Sequence, residues 1–512
     1  MNTVTIYCVL CLFFLYTCLR AWLAAVFHDE AVTFLYHSLK PIPDILFNIG
    51  PFAPNNHIPN TLLIKLFINI FGVSEFVIRI PALIGHALYL FGTYKILQML
   101  FDRKIFCYAL LILLSNPFLL EMFSAARGYA LGLGFMTLGL FFLLKQISSL
   151  RDDAVLINTF LSGFFMVMAT FSNFSFIHVL FAAIASAVIG NCVKVFSSEK
   201  KISSFAVFKR VLVTTIFPIS ATLIFLYFLC ASPIESIIKG KEYYSGGANG
   251  FWADTVQSLI RATLYGKTYA FINASLVLQT ILVLIITASI FYGLKLLLQY
   301  KNKKLITIEK YFLTLICLLF FTVFFVIVRC KITGSKFIMD RSALYLIPIF
   351  YLLMLTLGGS VLECANHFLK RTTGLFIVGA AVISFAHFLN CINYRDYYIS
   401  PSSASARQAV LDIVELNGPA LKDAEPKTIV THWVFTPMIN FYKVQYNLFW
   451  LDRLPYYPEN FKGNYYFIFN KNANNSSLSK DFKDDLNLID FNQLSIVKNY
   501  TEFNTILAVP LR

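Results

Sequence analysis

Charge is what this sequence has least of. Asp, Glu, Lys and Arg make up 13% of its 512 residues, about half the share found in soluble globular chains. Apolar residues make up 58%. A shortage of that size excludes an ordinary soluble domain and leaves a polytopic membrane protein. Acidic residues are the scarcer sign: 27 stand against 42 Lys and Arg, for a formal net charge of +15. The excess does not point to nucleic acid. The cations lie in short segments between apolar runs, as in loops that stay on the cytoplasmic side, where they also favour lipid headgroups and phosphates. Cysteine is absent after Cys391, so the tail has no disulfide. Cys8 and Cys11 have redox-like spacing, but in an apolar run this only puts two small side chains on one helix face. No Lys or Arg precedes Arg20. The basic region of a secretory signal is therefore missing, and the first run reads as an uncleaved span.

Runs of about 20 apolar residues mark about eleven spans: 4–27, 80–100, 105–122, 129–144, 154–171, 174–193, 211–231, 272–298, 311–328, 342–362 and 373–391. An odd number puts the termini on opposite sides. Every second connection then carries the cations: Arg103 and Lys104; Lys145 and Arg151; Lys194, Lys200, Lys201, Lys209 and Arg210; Lys295, Lys301, Lys303, Lys304 and Lys310; Lys370 and Arg371. These are the inner loops. The segment after the first span, the 232–270 loop, the 331–341 turn and the tail are then all outside.

From about residue 393 the apolar runs shorten and charge returns. Helical spacing over 405–416, short strands at 428–433 and 465–469, and a terminal hairpin over 494–511 predict a small α/β domain. The chain divides into a membrane domain, 1–392, and a soluble extracytoplasmic domain, 393–512. The tail has no Gly-rich phosphate loop and no metal-ligand cluster, and His432 beside Trp433 reads as packing.

Signals are densest in the outer loop 28–79. It opens with His28-Asp29-Glu30, continues through an amphipathic stretch over 31–39 and Asn55-Asn56-His57-Ile58-Pro59 to a second stretch over 61–71, and closes with Gly72-Val73-Ser74-Glu75 and Arg79-Ile80-Pro81. Two short amphipathic helices suit a position along the membrane surface, roofing a cavity rimmed by carboxylates. A carboxylate at a hydrocarbon boundary gives up hydration and persists where it has a task or a partner. Under this topology Arg79, Arg127 and Arg341 fall at the outer ends of spans, where Arg can also simply snorkel.

Asp29-Glu30, His57-x-Pro59, Gly-x-Ser-Glu75 with Arg79-x-Pro81, and Ala126-Arg127-Gly128-Tyr129, in this order, resemble a family of integral membrane glycosyltransferases of the GT-C fold. It is close to glycosyltransferase family 39 and includes protein O-mannosyltransferases and the transferases that put aminoarabinose on lipid A. The resemblance covers residues 27–144 well and the rest by layout, including Asp340-Arg341 entering a late span. One departure is Ile58-Pro59-Asn60, where the family has two prolines and a leucine. The resemblance implies a helical GT-C membrane fold with a small C-terminal α/β domain. It implies an enzyme that moves a sugar, with inversion, from a polyprenyl phosphate carrier to a hydroxyl of a protein, lipid or glycan acceptor. The site then lies outside a bacterial inner membrane, with membrane lipids and no nucleic acid as further partners.

Within that reading Asp29 is the general base, on the face of the sugar opposite the phosphate, and Glu30 sets its position and pKa. Polyprenyl phosphate leaves readily, so one carboxylate suffices, unlike the pair of glycoside hydrolysis. The departing phosphate needs cations. Arg79 is the first choice, with Arg127 and Arg341 behind it, because the guanidinium fork suits phosphate. Asn56 and His57 bind substrate. Glu121 and Asp254 are further acceptor contacts to consider, and the flexible 243–250 segment a gate. His28 beside Asp29 invites a metal, but the resemblance implies neither metal nor cofactor. A lipid or solute transporter is the alternative, disfavoured because no internal repeat or matched broken helices are visible. A scaffold presenting the tail leaves the carboxylate and arginine pattern unexplained.

Overall fold

The computed structural model describes residues 3–149, 151–198, 204–240, 246–270, 272–299, 305–364, 366–417, 425–457, 461–470 and 489–511. Part of the 243–250 segment and the cations Lys200, Lys201, Lys301, Lys303 and Lys304 lie outside them. Among the described residues ten helices are long and apolar enough to cross a membrane. The chain is an integral multi-pass helical protein with a small C-terminal sheet.

The first long apolar helix is α1 (Thr3–Leu23), and the segment after it forms α2 (His28–Thr33), a π-turn over Phe34–Ser38, α3 (Ile42–Leu46) and α4 (Ile58–Phe71). In α4, Ile58, Ile64 and Ile68 are buried while Leu66, Ile70 and Phe71 are exposed. A helix apolar on both flanks fits the boundary of the hydrocarbon layer. The crossing α5 (Glu75–Leu100) starts at Ser74, whose Oγ accepts from the Val77 amide at 3.3 Å, as N-cap serines do.

The span expected over 105–122 is not one helix. It is α6 (Arg103–Leu114) followed by α7 (Pro117–Met122). Pro117 has no N–H and holds Asn116 out of the helical region, and the Asn116 side chain caps the second piece through the Leu119 amide at 3.1 Å. The pieces still climb beside α5: Tyr89 donates to the Leu113 carbonyl at 3.0 Å, and His86 stacks on Phe123 at 4.4 Å. The run expected as one span is thus two short helices, and the long apolar helices among the described residues number ten where the sequence suggested about eleven.

Next come α8 (Tyr129–Ser148), α9 (Asp152–Ser172), α10 (Ile177–Ser198), α11 (Ser204–Val211), α12 (Phe217–Gly240), α13 (Gln257–Leu264), α14 (Ala274–Gln299), α15 (Thr307–Thr333), α16 (Leu346–Cys364) and α17 (His367–Asn390). The outer loop expected from 232 is shorter, because α12 runs on to Gly240. Helices α5 and α8 meet backbone to backbone. A Cβ on Gly85 would lie 2.4 Å from the Ala130 carbonyl carbon, and one on Gly134 2.5 Å from the Gly85 oxygen, the close approach that small residues allow between membrane helices.

The tail adds α18 (Ser403–Asn417), β1 (Ile429–Thr431), α19 (Thr436–Gln445), β2 (Tyr465–Phe469), β3 (Leu494–Tyr500) and β4 (Thr505–Pro510), matching the expected strands to within a few residues. The sheet order is β1-β2-β4-β3. Because β1 and β2 are parallel, they need a crossover, and α19, which the sequence reading missed, supplies it. One face of the sheet packs on a cluster of the tail's own, Val430, Tyr466, Ile468, Ile506 and Ala508, while the other shares its core: Phe34, Ile64, Ile78 and Ala126 pack in one cluster with Ile413, Ile439, Phe441 and Phe467.

Gly85→Val is expected to lower the unfolding midpoint of the detergent-solubilised protein, by the roughly 1–3 kcal/mol of overpacking or more. Ile84→Val, on an exposed flank, should change it little. An unchanged midpoint for Gly85→Val would refute the close packing of α5 on α8.

Candidate active site

Where α1 ends, the carbonyls of its last turn and of the residues just beyond it have no helical partner. Arg79, near the start of α5, takes three of them. Its Nη1 donates to the Ala21 and Ala24 carbonyls at 3.1 and 2.6 Å, and its Nη2 to the Ala25 carbonyl at 3.0 Å. Its Nε and Nη2 grip Glu30 at 2.8 and 2.7 Å. All five N–H groups are therefore used, and the side chain is fully buried. Glu30 is equally buried and accepts also from the Ala126 amide at 2.6 Å and the Phe27 amide at 3.2 Å. The expected role of Arg79 at the phosphate is thereby corrected: it has no N–H left to give. Glu30 has no open face for substrate either, and acts by fixing the start of α2.

A second buried pair lies alongside. Arg20 meets Glu121 at 3.0 Å and donates to the Asp396 carbonyl at 2.6 Å, while Glu121 accepts from the Tyr398 amide at 2.8 Å and from Tyr265. Between the two pairs lies the Tyr397 ring, 4.8 Å from the Arg20 guanidinium and 5.4 Å from that of Arg79. Its hydroxyl donates to the Ser124 carbonyl at 2.9 Å. Sequence reasoning missed Tyr397; the only signal was an aromatic cluster directly after the last span.

Asp29 precedes Glu30 by one residue but points elsewhere. Its Oδ2 lies 2.5 Å from Arg341 Nη2 and 3.8 Å from Arg127 Nη2. Asp29 is 14% exposed and Arg341 31%, against 2% for Arg127. Burial alone would raise the Asp29 carboxyl, but Arg341 and then Arg127 outweigh it and hold it well below the usual carboxylate range. Arg127 is fixed by Thr33 Oγ1 at 3.0 Å and Asn55 Oδ1 at 2.9 Å. Arg341 follows Asp340, whose φ of 46° is left-handed, a conformation Asp tolerates better than most residues. The Asp340 amide donates to Ser258 Oγ at 2.9 Å, and Thr255 Oγ1 donates to the Ile338 carbonyl at 2.6 Å. So two arginines far apart in sequence converge on one carboxylate.

No protein-family model matches the chain, and no curated protein matches it in sequence. In structure it is similar to ArnT from Cupriavidus metallidurans bound to undecaprenyl phosphate, with a TM-score of 0.50 and 10% identity over 99% of this chain and 97% of that one. The apo state of that protein gives a TM-score of 0.49 and 10% identity over 99% and 98%. The chain has the GT-C fold.

In this GT-C frame the other expected residues separate. Asn56 is buried and bonds the Ile45 carbonyl and Asn48 Oδ1, both at 2.9 Å, so it shapes the loop. His57 is also buried, 5.2 Å from the Tyr129 ring, and its Nε2 has no hydrogen-bond partner. Burial, and then Arg127 and Arg341, hold its pKa well below the ordinary imidazole value. It therefore stays neutral, with one buried ring nitrogen left without a hydrogen-bond partner. A Cβ on Gly128 would lie 2.0 Å from the Ser172 carbonyl oxygen and 2.7 Å from the His57 Cβ, so only glycine lets the Arg127 turn approach. Asp254 caps its own loop through the Asn249 and Gly250 amides at 2.7 and 2.9 Å, and Glu121 is held in its pair. His28 uses both ring nitrogens, on the Val434 carbonyl at 2.8 Å and Tyr456 Oη at 3.0 Å. Among the described residues no group of three or more His, Cys, Asp or Glu is placed to hold a metal. His432 packs 5.5 Å from Trp433.

Glu30→Ala leaves Arg79 as an unpaired buried charge and is expected to cost about 3–5 kcal/mol of stability, with loss of folded protein on size-exclusion chromatography. Asp29→Asn, at a partly open carboxylate, should keep the folded peak. Equal behaviour of the two variants would contradict this division between neighbours.

Proposed function

We propose that this chain is a glycosyltransferase that moves a sugar, with inversion, from a polyprenyl phosphate carrier to an acceptor hydroxyl outside a bacterial inner membrane. The observation that carries the reading is the single Asp29 carboxylate facing Arg341 and Arg127, with Glu30 sequestered. The fold shared with a protein crystallised with undecaprenyl phosphate supports a donor of that class.

The chemistry follows from charge. In the structure the arginines neutralise Asp29. An incoming phosphate is an anion of the same kind and competes for both guanidiniums, which bind phosphate as readily as carboxylate. Arg341, the more exposed of the two, is the one free to turn. As its N–H groups move to the phosphate, Asp29 loses their stabilisation and becomes a stronger base. It then accepts the proton of the acceptor hydroxyl, whose oxygen attacks the anomeric carbon. The bond from that carbon to the phosphate oxygen breaks, and its electron pair leaves with the polyprenyl phosphate. Arg127 and Arg341 stabilise the charge that develops there. Neutral His57, within electrostatic reach of both, has an unpartnered Nε2 for the phosphate or the sugar. No step requires a metal or another cofactor.

With the membrane-bound enzyme and polyprenyl phosphate sugars, Asp29→Asn should lose transfer by about 10²–10⁴-fold, the usual contribution of a general base, while keeping donor binding. Arg341→Ala should weaken donor binding itself. Full transfer by Asp29→Asn would remove it as the base.

The pH dependence carries a sign. A folded carboxyl held below its ordinary value stays ionised as pH falls until that depressed value is reached. The profile of kcat/KM, which reports the free enzyme, should therefore lack an acid limb between about pH 5 and 8. The profile of kcat, which reports the donor complex, should show its acid limb at higher pH than kcat/KM does. Coincident limbs would contradict the competition for Arg341.

A further inference from the structure

His28 bonds the tail rather than the arginines. On α2 it lies next to Asp29, and successive residues on a helix point about 100° apart. Around it stand aromatic rings from two distant parts of the chain. Tyr36 and Phe52 come from the outer loop, 5.2 Å apart; Trp433, Tyr456 and Tyr457 come from the tail. Phe52 lies 4.6 Å from Tyr456, Tyr456 4.8 Å from Tyr457 and 5.9 Å from Trp433, and Trp433 5.4 Å from the His28 ring. The His28 bond to Tyr456 Oη and its bond to the Val434 carbonyl fix this assembly to the base of Asp29.

The rings are not closed into a core. Tyr457 is 65% exposed, and Tyr36, Phe52, Trp433 and Tyr456 are only half-buried. Phe52 also holds a left-handed conformation, φ 59° and ψ 35°, which bulky side chains rarely adopt and which gathers at functional sites. The strained backbone places its ring against Tyr36 and Tyr456.

We infer that these rings form a shelf that binds a carbohydrate, so that the acceptor is a glycan whose hydroxyl is presented to Asp29. The inference rests on the transferase reading of Asp29. Aromatic faces carry negative charge that attracts C–H groups, and the C–H face of a pyranose ring matches them in size. Tyr36 and Tyr457 each end in a phenol hydroxyl, and exposed Arg453 lies within electrostatic reach of Tyr36, which supplies polar groups for sugar hydroxyls. An acyl chain would offer nothing to these groups or to the Arg453 charge. Since the shelf lies on the His28 flank, the arginines stay free for the donor. The tail thereby gains a role, because it supplies Trp433, Tyr456 and Tyr457.

The test is binding of the full detergent-solubilised chain to an array of immobilised oligosaccharides and Ser/Thr peptides, with undecaprenyl phosphate binding measured in parallel. The double variant Phe52→Gly/Tyr457→Ala removes two rings at positions where the fold tolerates it: glycine accepts the Phe52 backbone, and Tyr457 is exposed. Wild type should retain a subset of glycans, and the double variant should lose about tenfold or more of that retention with undecaprenyl phosphate binding and the unfolding midpoint unchanged. Glycan binding that ignores the double substitution, no glycan binding by wild type, or ring-dependent binding of peptides in place of glycans would each overturn the shelf. Loss of undecaprenyl phosphate binding by wild type, with glycan retention intact, would instead strike the donor reading.

Discussion

The site depends on how the first membrane helix ends. The carbonyls of Ala21, in its last turn, and of Ala24 and Ala25, just beyond it, need donors in a place with little water, and Arg79 supplies them while pairing with Glu30. An unpaired charge there would be expensive, and a satisfied pair is rigid. Because Glu30 also holds the Ala126 amide, the same pair sets the start of α2 and the turn that carries Arg127. Tyr397, between the Arg79 and Arg20 guanidiniums, ties the last membrane helix and the tail into the same network.

From this follows a division of labour between two adjacent acids. Glu30 faces inward, has a full set of donors and has no substrate face. Asp29, one residue earlier, faces a partly open space where its partners are Arg341 and Arg127. The chemistry proposed for Asp29 needs such a contrast: a base must be held in place by something that does not itself take part. The tail extends the arrangement, since Val434 and Tyr456 hold His28 and the tail shares a core with the outer loop.

Much of this is written in the sequence and some is not. Long apolar runs, cations in alternate connections and the acidic pair disclose the membrane fold, and the strands of the tail stand out by their apolar residues. Arg127 and Arg341 could be placed on the same side as Asp29 from topology alone. The role of Arg79 could not: whether an arginine at a helix end faces a ligand or a set of carbonyls depends on packing against α1, more than 50 residues earlier, as the contact with Ala21 shows. Helix α19 escaped notice because Thr436 through Tyr442 are all buried, so no polar face gives it a period. The break at Asn116-Pro117 was legible by the rule for residues before proline, yet the apolar run around it masked the signal. Tyr397 has no local signature, because its importance comes from two guanidiniums brought to its faces by distant helices.

The most direct test of the account is an electron cryomicroscopy structure of the full chain with undecaprenyl phosphate. The account predicts the phosphate beside Arg341 and Arg127, with the Arg341–Asp29 contact opened and the Arg79–Glu30 pair unchanged. A phosphate bound at Arg79, or one that leaves Arg341 on Asp29, would contradict it.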